Sequence, residues 1–550
     1  MEPQISQKGI PVTEPTEAAS SSINRRQLLT RGAKGVAALA AADLLATFGG
    51  STASAAISST ASAAVKRGGT LTVGQITGGS IETLVPGMSL TTVDGTRAFQ
   101  LYEALWSVGR NLKPVPALAE SAEPNATATR WTIRLRPGVH FHDGKPLTAD
   151  DLMWSIRTWL DPKQNIQSSI TDLVVDLPNT RKIDPLTVEI ATKRPIADFA
   201  GVFASYYYSV LPNGGTVAKL KKKPNGTGPF KYVSFTPGSR SVMAANPHYW
   251  VPGRPYIDTL IIDSSFTDEN ARLNALLSGA LDIDLALPYA LASQAGSEFK
   301  LLNSRGPGFD AFPMRVDVAP YNDVRVRQAL RLLMNRPQFI TDVFDGKGTV
   351  GNDMPCTGAP YFDTKLPQRT ADIEQAKSLL KSAGRSDLTV TLNVGAVQDG
   401  FIQAATLFKQ AALSAGVKVN VNTLSPSVYY DTTGAGHWLS YPFSVTGWIE
   451  YTSSLAAFYL ATLNKHAPFN ETHWGTAATD ALLFDAVGEV NPASAAAKWD
   501  AVQKLQYNKG GYLLWGNTNY IDGLRPNVMG LLPSEASWCD NSAFLNAWLA

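Results

Sequence analysis

The sequence predicts an α/β protein. Three observations carry that reading: strands that alternate with helices from residue 370 onward, strand-and-turn patterns near residues 70 and 130, and amphipathic helices closed by glycine. The chain has 550 residues, 44% of them hydrophobic and 9% aromatic, enough for a large core and for two to four domains at about 150 residues each. No segment repeats at a solenoid period of about 20–50 residues.

In chain order, "GGTLTVGQIT" alternates as a strand, with Leu71, Val73 and Gln75 on one face. "RWTIRLRPGVHF", residues 130–141, reads as a strand, a Pro-Gly turn and a second strand. In "TADDLMWSIRTWL" Thr148 is the expected N-cap, with Asp151 three residues on; Leu152, Ile156 and Trp159 form the apolar stripe. "DENARLNALLSG" predicts a helix ending at Gly279, and "LDIDLAL" a strand after it. In "NDVRVRQALRLLM" Val326, Ala329, Leu330, Leu333 and Met334 share one helical face. A helix then ends at Gly384, a strand covers Leu388–Val394, a further helix runs to Gly416, and a strand starts at Val417.

The N-terminus reads as an address. "SSINRRQLLTRGAKGVAALAAADLLATFGG", residues 21–50, has a charged start, a weakly apolar middle interrupted by Lys34 and Asp43, and a small-residue zone beyond. A membrane span needs about 20 mostly apolar residues, which this run lacks. The three-part layout predicts an export signal cleaved after Ala55 or Ala63, and Arg25-Arg26 in Asn24–Leu29 resembles the twin-arginine (Tat) motif. The first 63 residues hold five of the 48 Lys/Arg and four of the 46 Asp/Glu, which leaves a nearly neutral body of 43 and 42. No basic surface argues for nucleic acid; the densest run, "KLKKKPNG" at Lys219–Gly226, reads as a solvated loop. Cys356 and Cys539 are the two cysteines, and sequence leaves open whether they pair.

His140 and His142 in "HFHDG" lie two apart, and no third histidine or cysteine is close in sequence to complete a metal set, so no metal is expected. No G-x-S-x-G, H-E-x-x-H or P-loop occurs, so a secreted hydrolase is only a remote alternative and no catalytic residue is assigned.

Four stretches together resemble the extracytoplasmic solute-binding proteins of ABC importers, family 5, the oligopeptide-, dipeptide- and nickel-binding type. They are "WTIRLRPGVHFHDGKPLTADDLMWSI" (131–156), "GTGPFKYVSFTPGSRSVMAANPHYW" (226–250), "ARLNALLSGALDID" (271–284) and "YNDVRVRQALRLLMNRPQFI" (321–340). The resemblance implies a two-lobe periplasmic-binding-protein fold of type II with an extra subdomain, and a ligand cleft between the lobes. It assigns residues 66–100, 190–305 and 515–550 to lobe one, 101–189 to the subdomain and 306–514 to lobe two. It also implies a monomeric periplasmic receptor without cofactor, which passes a peptide or other small solute to membrane permease subunits; the N-terminal motif adds export by the Tat translocase. A nickel chelate, an opine or a sugar is the alternative ligand.

The same resemblance points to "SVTGWIEYTSSL", Ser444–Leu455. In peptide-binding relatives the matching stretch has a Gly-Trp pair followed by an Asp-Tyr pair, whose aspartate holds the ligand's ammonium. Here Gly447-Trp448 is followed by Ile449 and Glu450-Tyr451; the segment is one residue shorter and the carboxylate one methylene longer. Glu450 is thereby the expected ammonium partner and Trp448 a cleft wall. Trp515 and Asn517 in "LLWGNTNY", with Tyr207, Met88 and Phe309, complete the expected ligand set.

Overall fold

The computed structural model describes residues 65–395, 397–398, 400–430, 437–449 and 453–550. The signal segment with Arg25 and Arg26 lies outside them, as do Glu450 and Tyr451. Among the described residues no helix is long and apolar enough to cross a membrane.

A nine-stranded mixed sheet organises the chain. Its order is Thr446–Trp448, Lys300–Pro313, Tyr512–Leu524, Ile283–Asp284, Thr70–Ile76, Thr259–Phe266, Arg240–Ala245 and Phe230–Phe235, with Thr349–Val350 also pairing to Tyr512–Leu524. Thr70–Ile76 runs parallel to both its neighbours, and the other pairings are antiparallel. Lys300–Pro313 and Tyr512–Leu524 lie side by side and connect two lobes: Leu302 and Leu524 belong to one hydrophobic core, Phe312, Leu513 and Trp515 to another. Their register breaks between Arg305 and Phe309 and again after Asp310, in the middle of the crossing.

The first core gathers residues from 71–102, 211–302 and 524–549, and the second from 312–445 with Leu513 and Trp515. A third takes residues from 105–210 together with Phe309, Cys356, Leu455–Leu463, Trp499 and Tyr512. It thus draws on both the segment assigned to the subdomain and the one assigned to lobe two. Both cysteines are free and buried, Cys356 in the third core and Cys539 in the first.

Local chemistry explains most elements. Thr70–Ile76 buries Leu71, Val73 and Gln75 as its alternation requires. Helix Ala149–Leu160 starts at a capping box in which the Thr148 N–H donates to Asp151 Oδ2 at 2.8 Å. Val326, Ala329, Leu330, Leu333 and Met334 are all buried, on and just after helix Val324–Leu332. Helix Ile373–Ser382, strand Thr389–Gly395, helix Phe401–Leu413 and strand Lys418–Leu424 form the expected βα alternation, the two strands pairing in parallel. Gly384 and Gly416 have φ of +68° and +78°, the left-handed geometry that ends a helix cheaply with glycine.

Two expected strands are corrected. The second strand of residues 130–141 is reduced to one bridge, His140 to Pro146, because Asp143-Gly144 turns the chain back at once. "LDIDLAL" pairs only over Ile283–Asp284, because Ala286, at φ +59°, bends the strand away.

The four stretches that carry the family resemblance work as fold devices. At Gly226 and Gly228 a Cβ would run into the carbonyls of Leu101 and Gln100. Thr227, Tyr249 and Trp250 all donate to the buried Glu103 carboxylate, at 2.8, 2.8 and 3.0 Å, and burial pushes that carboxyl up to about 7. His142 Nε2 lies 3.0 Å from the Gly228 carbonyl, and burial pushes its imidazole down to about 4. Arg331 and Arg336 are fully buried, and their guanidinia donate to the carbonyls of Tyr512 and Leu514 at 2.8 and 3.1 Å. Asp353 lies against both, 2.6 Å from Arg336 and 3.8 Å from Arg331. At the other end of that crossing strand Arg272 pairs with Asp284 at 2.5 Å, and Asp522 accepts from the N–H groups of Ala286 and Cys539 at 2.9 and 2.7 Å. Both ends of one inter-lobe strand are therefore pinned by buried charge.

Candidate functional site

A cavity of about 690 Å3 opens between segments 81–108, 166–167 and 201–207 on one side and 429–453 with Phe469 on the other; residues 536–542 close an end. That volume lies in the range of about 300–1,000 Å3 typical of small-ligand sites. Among the described lining residues none is acidic, basic or histidine.

Gly447 and Trp448 sit on the sheet-edge strand Thr446–Trp448, opposite Asp310 and Phe309. A Cβ at Gly447 would press on Gln398 Oε1 at 2.5 Å and Asp310 Oδ1 at 2.9 Å, so a larger residue would have to move those side chains. The Trp448 ring lies 6.1 Å from Phe469 and 6.0 Å from Trp438, and Trp438 stacks on Phe469 at 20°. Behind this wall the Trp448 indole N–H donates to Glu471 Oε1 at 2.8 Å, and the Tyr512 hydroxyl donates to the same oxygen at 2.8 Å. Glu471 is fully enclosed; burial pushes its carboxyl up to about 7 against the hydrogen bonds from Trp448, Tyr512 and Thr446.

On the opposite wall Phe99 meets Tyr206 edge-on at 5.3 Å, and Tyr206 meets Tyr207 at 4.3 Å. The Tyr207 hydroxyl donates to the Ser89 carbonyl at 3.3 Å. The walls meet where two helix caps join. Ser454, N-cap of Leu455–Thr462, donates its hydroxyl to Asp198 Oδ2 at 2.6 Å, while Asp198 Oδ1 caps Phe199–Phe203 by accepting from Gly201 N–H at 2.9 Å. Burial raises the Asp198 carboxyl.

Of the residues expected from the sequence, the structure brings Gly447, Trp448 and Tyr207 together around the cavity. Glu450 and Tyr451 lie outside the described residues, between Ile449 and Ser453, which both line it. Four others sit apart from the lining. Trp515 is fully buried in the second core between Phe312 and Phe339. Asn517 accepts from the Thr357 hydroxyl at 3.0 Å within the sheet. Phe309 packs in the third core against Phe458 and Tyr512, and Met88 packs against the first. Tyr429, Tyr430, Trp438, Phe469 and Trp538 line the cavity without having been expected. The aromatic density of 429–448 is the one signal the sequence held for Tyr429, Tyr430 and Trp438. Nothing in sequence ties Glu471 to Trp448.

Comparison with known proteins gives the same picture. The family model "Bacterial extracellular solute-binding proteins, family 5 Middle" matches residues 113–469. The chain is 26% identical to heme-binding protein A of Haemophilus influenzae, over 76% of this chain and 82% of that protein. It is also 26% identical to di/tripeptide-binding protein 2 of Pseudomonas aeruginosa, over 81% and 89%. The periplasmic binding protein DppA of Helicobacter pylori, solved with the peptide STSA, superposes with a TM-score of 0.76 at 18% identity, over 88% of this chain and 98% of that one. With an α/β fold of two lobes, a cavity between them and a family model covering most of its length, this chain belongs to the bacterial extracellular solute-binding proteins of family 5.

Proposed function

We propose that this protein is the periplasmic receptor of an ABC importer, monomeric and without cofactor, that captures a short peptide and delivers it to membrane permease subunits. It performs no chemistry on its ligand. The cavity of about 690 Å3 between the two lobes carries this reading, because a receptor needs an enclosed site and a hinge rather than a reactive group. The di/tripeptide-binding relative and the peptide held by the superposed protein support a peptide ligand. In this reading Glu450 takes the peptide ammonium and Trp448 flanks it. The heme-binding relative favours a non-peptide solute as the second reading.

Binding to the closed, folded form stabilises it by about 2.7 kcal/mol at 100 times the dissociation constant. Thermal-shift screening of di- and tripeptides, sugars, opines and nickel chelates, on protein refolded free of its native ligand, should raise the melting temperature for peptides alone. A screen without a hit in any class removes the receptor reading. We further propose export by the Tat translocase through Arg25 and Arg26. Replacing both by lysine should hold the protein in the cytoplasm, and wild-type maturation should leave an N-terminus between residues 54 and 66; normal periplasmic levels of the double variant would rule this out.

A further inference from the structure

Three aromatic residues around the cavity hold their polar atoms in hydrogen bonds to the protein. The Trp448 indole N–H is taken by Glu471 at 2.8 Å. The Tyr207 hydroxyl is taken by the Ser89 carbonyl at 3.3 Å. The Tyr429 hydroxyl donates to the Val445 carbonyl. All three rings line the cavity, and what they offer a ligand is ring carbon rather than a hydrogen-bond donor. No described lining residue carries an ionisable acid, base or imidazole. Ring faces stand on two opposed walls, Trp438 and Phe469 beside Trp448 and Phe99 and Tyr206 beside Tyr207, among hydroxyl and amide groups such as Thr92, Thr96, Gln167, Ser205 and Asn541.

We infer that the site selects a solute that carries an aromatic ring. The inference rests on the receptor reading above and narrows its ligand class. An aromatic side chain gains offset or edge-on contacts against Trp448, Trp438 and Tyr207 beyond its burial area. A peptide fits when one of its side chains is aromatic.

The test uses the mature protein freed of endogenous ligand, titrated by calorimetry with Ala-Trp-Ala-amide, Ala-Asp-Ala-amide, Ala-Lys-Ala-amide, sucrose and phenyl β-glucoside. The tryptophan peptide should bind at least about tenfold more tightly than either charged peptide, equivalent to about 1.4 kcal/mol. Charged peptides binding as well as the tryptophan peptide overturn the inference and leave the peptide receptor standing. Phenyl β-glucoside binding while every peptide fails keeps the inference and overturns the peptide reading. Sucrose as the tightest ligand, or binding by none of the five, overturns it.

Discussion

The Trp448 indole N–H and the Glu471 carboxylate meet at 2.8 Å behind the cavity wall, 23 residues apart in sequence. Glu471 also accepts from Tyr512, on the strand that crosses between the lobes. One buried carboxylate thus fixes the orientation of a ligand-facing ring and ties it to the inter-lobe sheet. The ordinary carboxyl value for glutamate is 4.5, and burial pushes Glu471 up to about 7.

Between those values the folded state holds a proton that the unfolded state has released. The stability from this group is fully present below about 4.5 and is lost as pH rises through 7, at up to about 1.4 kcal/mol per pH unit. Glu471→Gln keeps an acceptor oxygen for Trp448 and Tyr512 and cannot ionise. Urea unfolding at pH 5 and pH 8 should show the variant gaining on wild type at the higher pH. A constant difference between the two proteins at both values would mean that burial does not raise the Glu471 carboxyl in the folded state.

Asp353 sits among Arg336 at 2.6 Å, Arg369 at 2.6 Å and Arg331 at 3.8 Å, and also accepts from the Leu514 N–H at 3.0 Å. Burial alone would raise its carboxyl; the three guanidinia outweigh burial and hold it below the usual range. Breaking a buried ion pair on one side costs about 3–5 kcal/mol, because the remaining charge stays buried. Asp353→Asn should lose that much in equilibrium unfolding, where a loss under about 1 kcal/mol, typical of an exposed pair, would contradict the role given to this cluster.

The Ser454–Asp198 hydrogen bond joins two helix caps that flank opposite walls of the cavity. Ser454→Ala removes the cap of Leu455–Thr462 and leaves the buried Asp198 one donor short, a loss of about 1–3 kcal/mol. Because the bond spans the walls, ligand dissociation should also accelerate. Stopped-flow release of ligand from Ser454→Ala at the wild-type rate would show the bond to be a cap and nothing more.

Local features were legible in the sequence. The buried face Val326–Met334, the Thr148–Asp151 capping box and the glycine stops at Gly384 and Gly416 follow from spacing and backbone chemistry within a few residues. Strand ends were not, because pairing partners set them: Ile283–Asp284 stops where Ala286 turns. Site residues divide the same way. Gly447, Trp448 and Tyr207 were placed by resemblance and line the cavity. Trp515 came from the same reasoning, yet its side chain faces the second core, since neighbouring residues of a strand point to opposite faces. Glu471 and Trp538 reach the site only through tertiary packing and left no local trace.

The ammonium of a peptide, once enclosed, needs a compensating charge, or its burial costs several kcal/mol. The described lining supplies none, and Glu450 is the carboxylate in the short segment between Ile449 and Ser453, which both reach the cavity. A charge-assisted hydrogen bond of this kind contributes roughly 1.5–3 kcal/mol. Glu450→Gln should therefore weaken binding of a free-amine peptide by about 10- to 150-fold at 1.4 kcal/mol per tenfold. The same substitution should barely change the affinity of an N-acetylated peptide, which carries no ammonium. The melting temperature of the unliganded protein should stay near wild type, since the proposed role lies in the ligand contact alone. Calorimetry on the free and acetylated peptides in parallel separates the contact from a general disturbance of the site. Equal losses for both peptides would assign Glu450 to structure, and no loss for either would move the ammonium to another carboxylate.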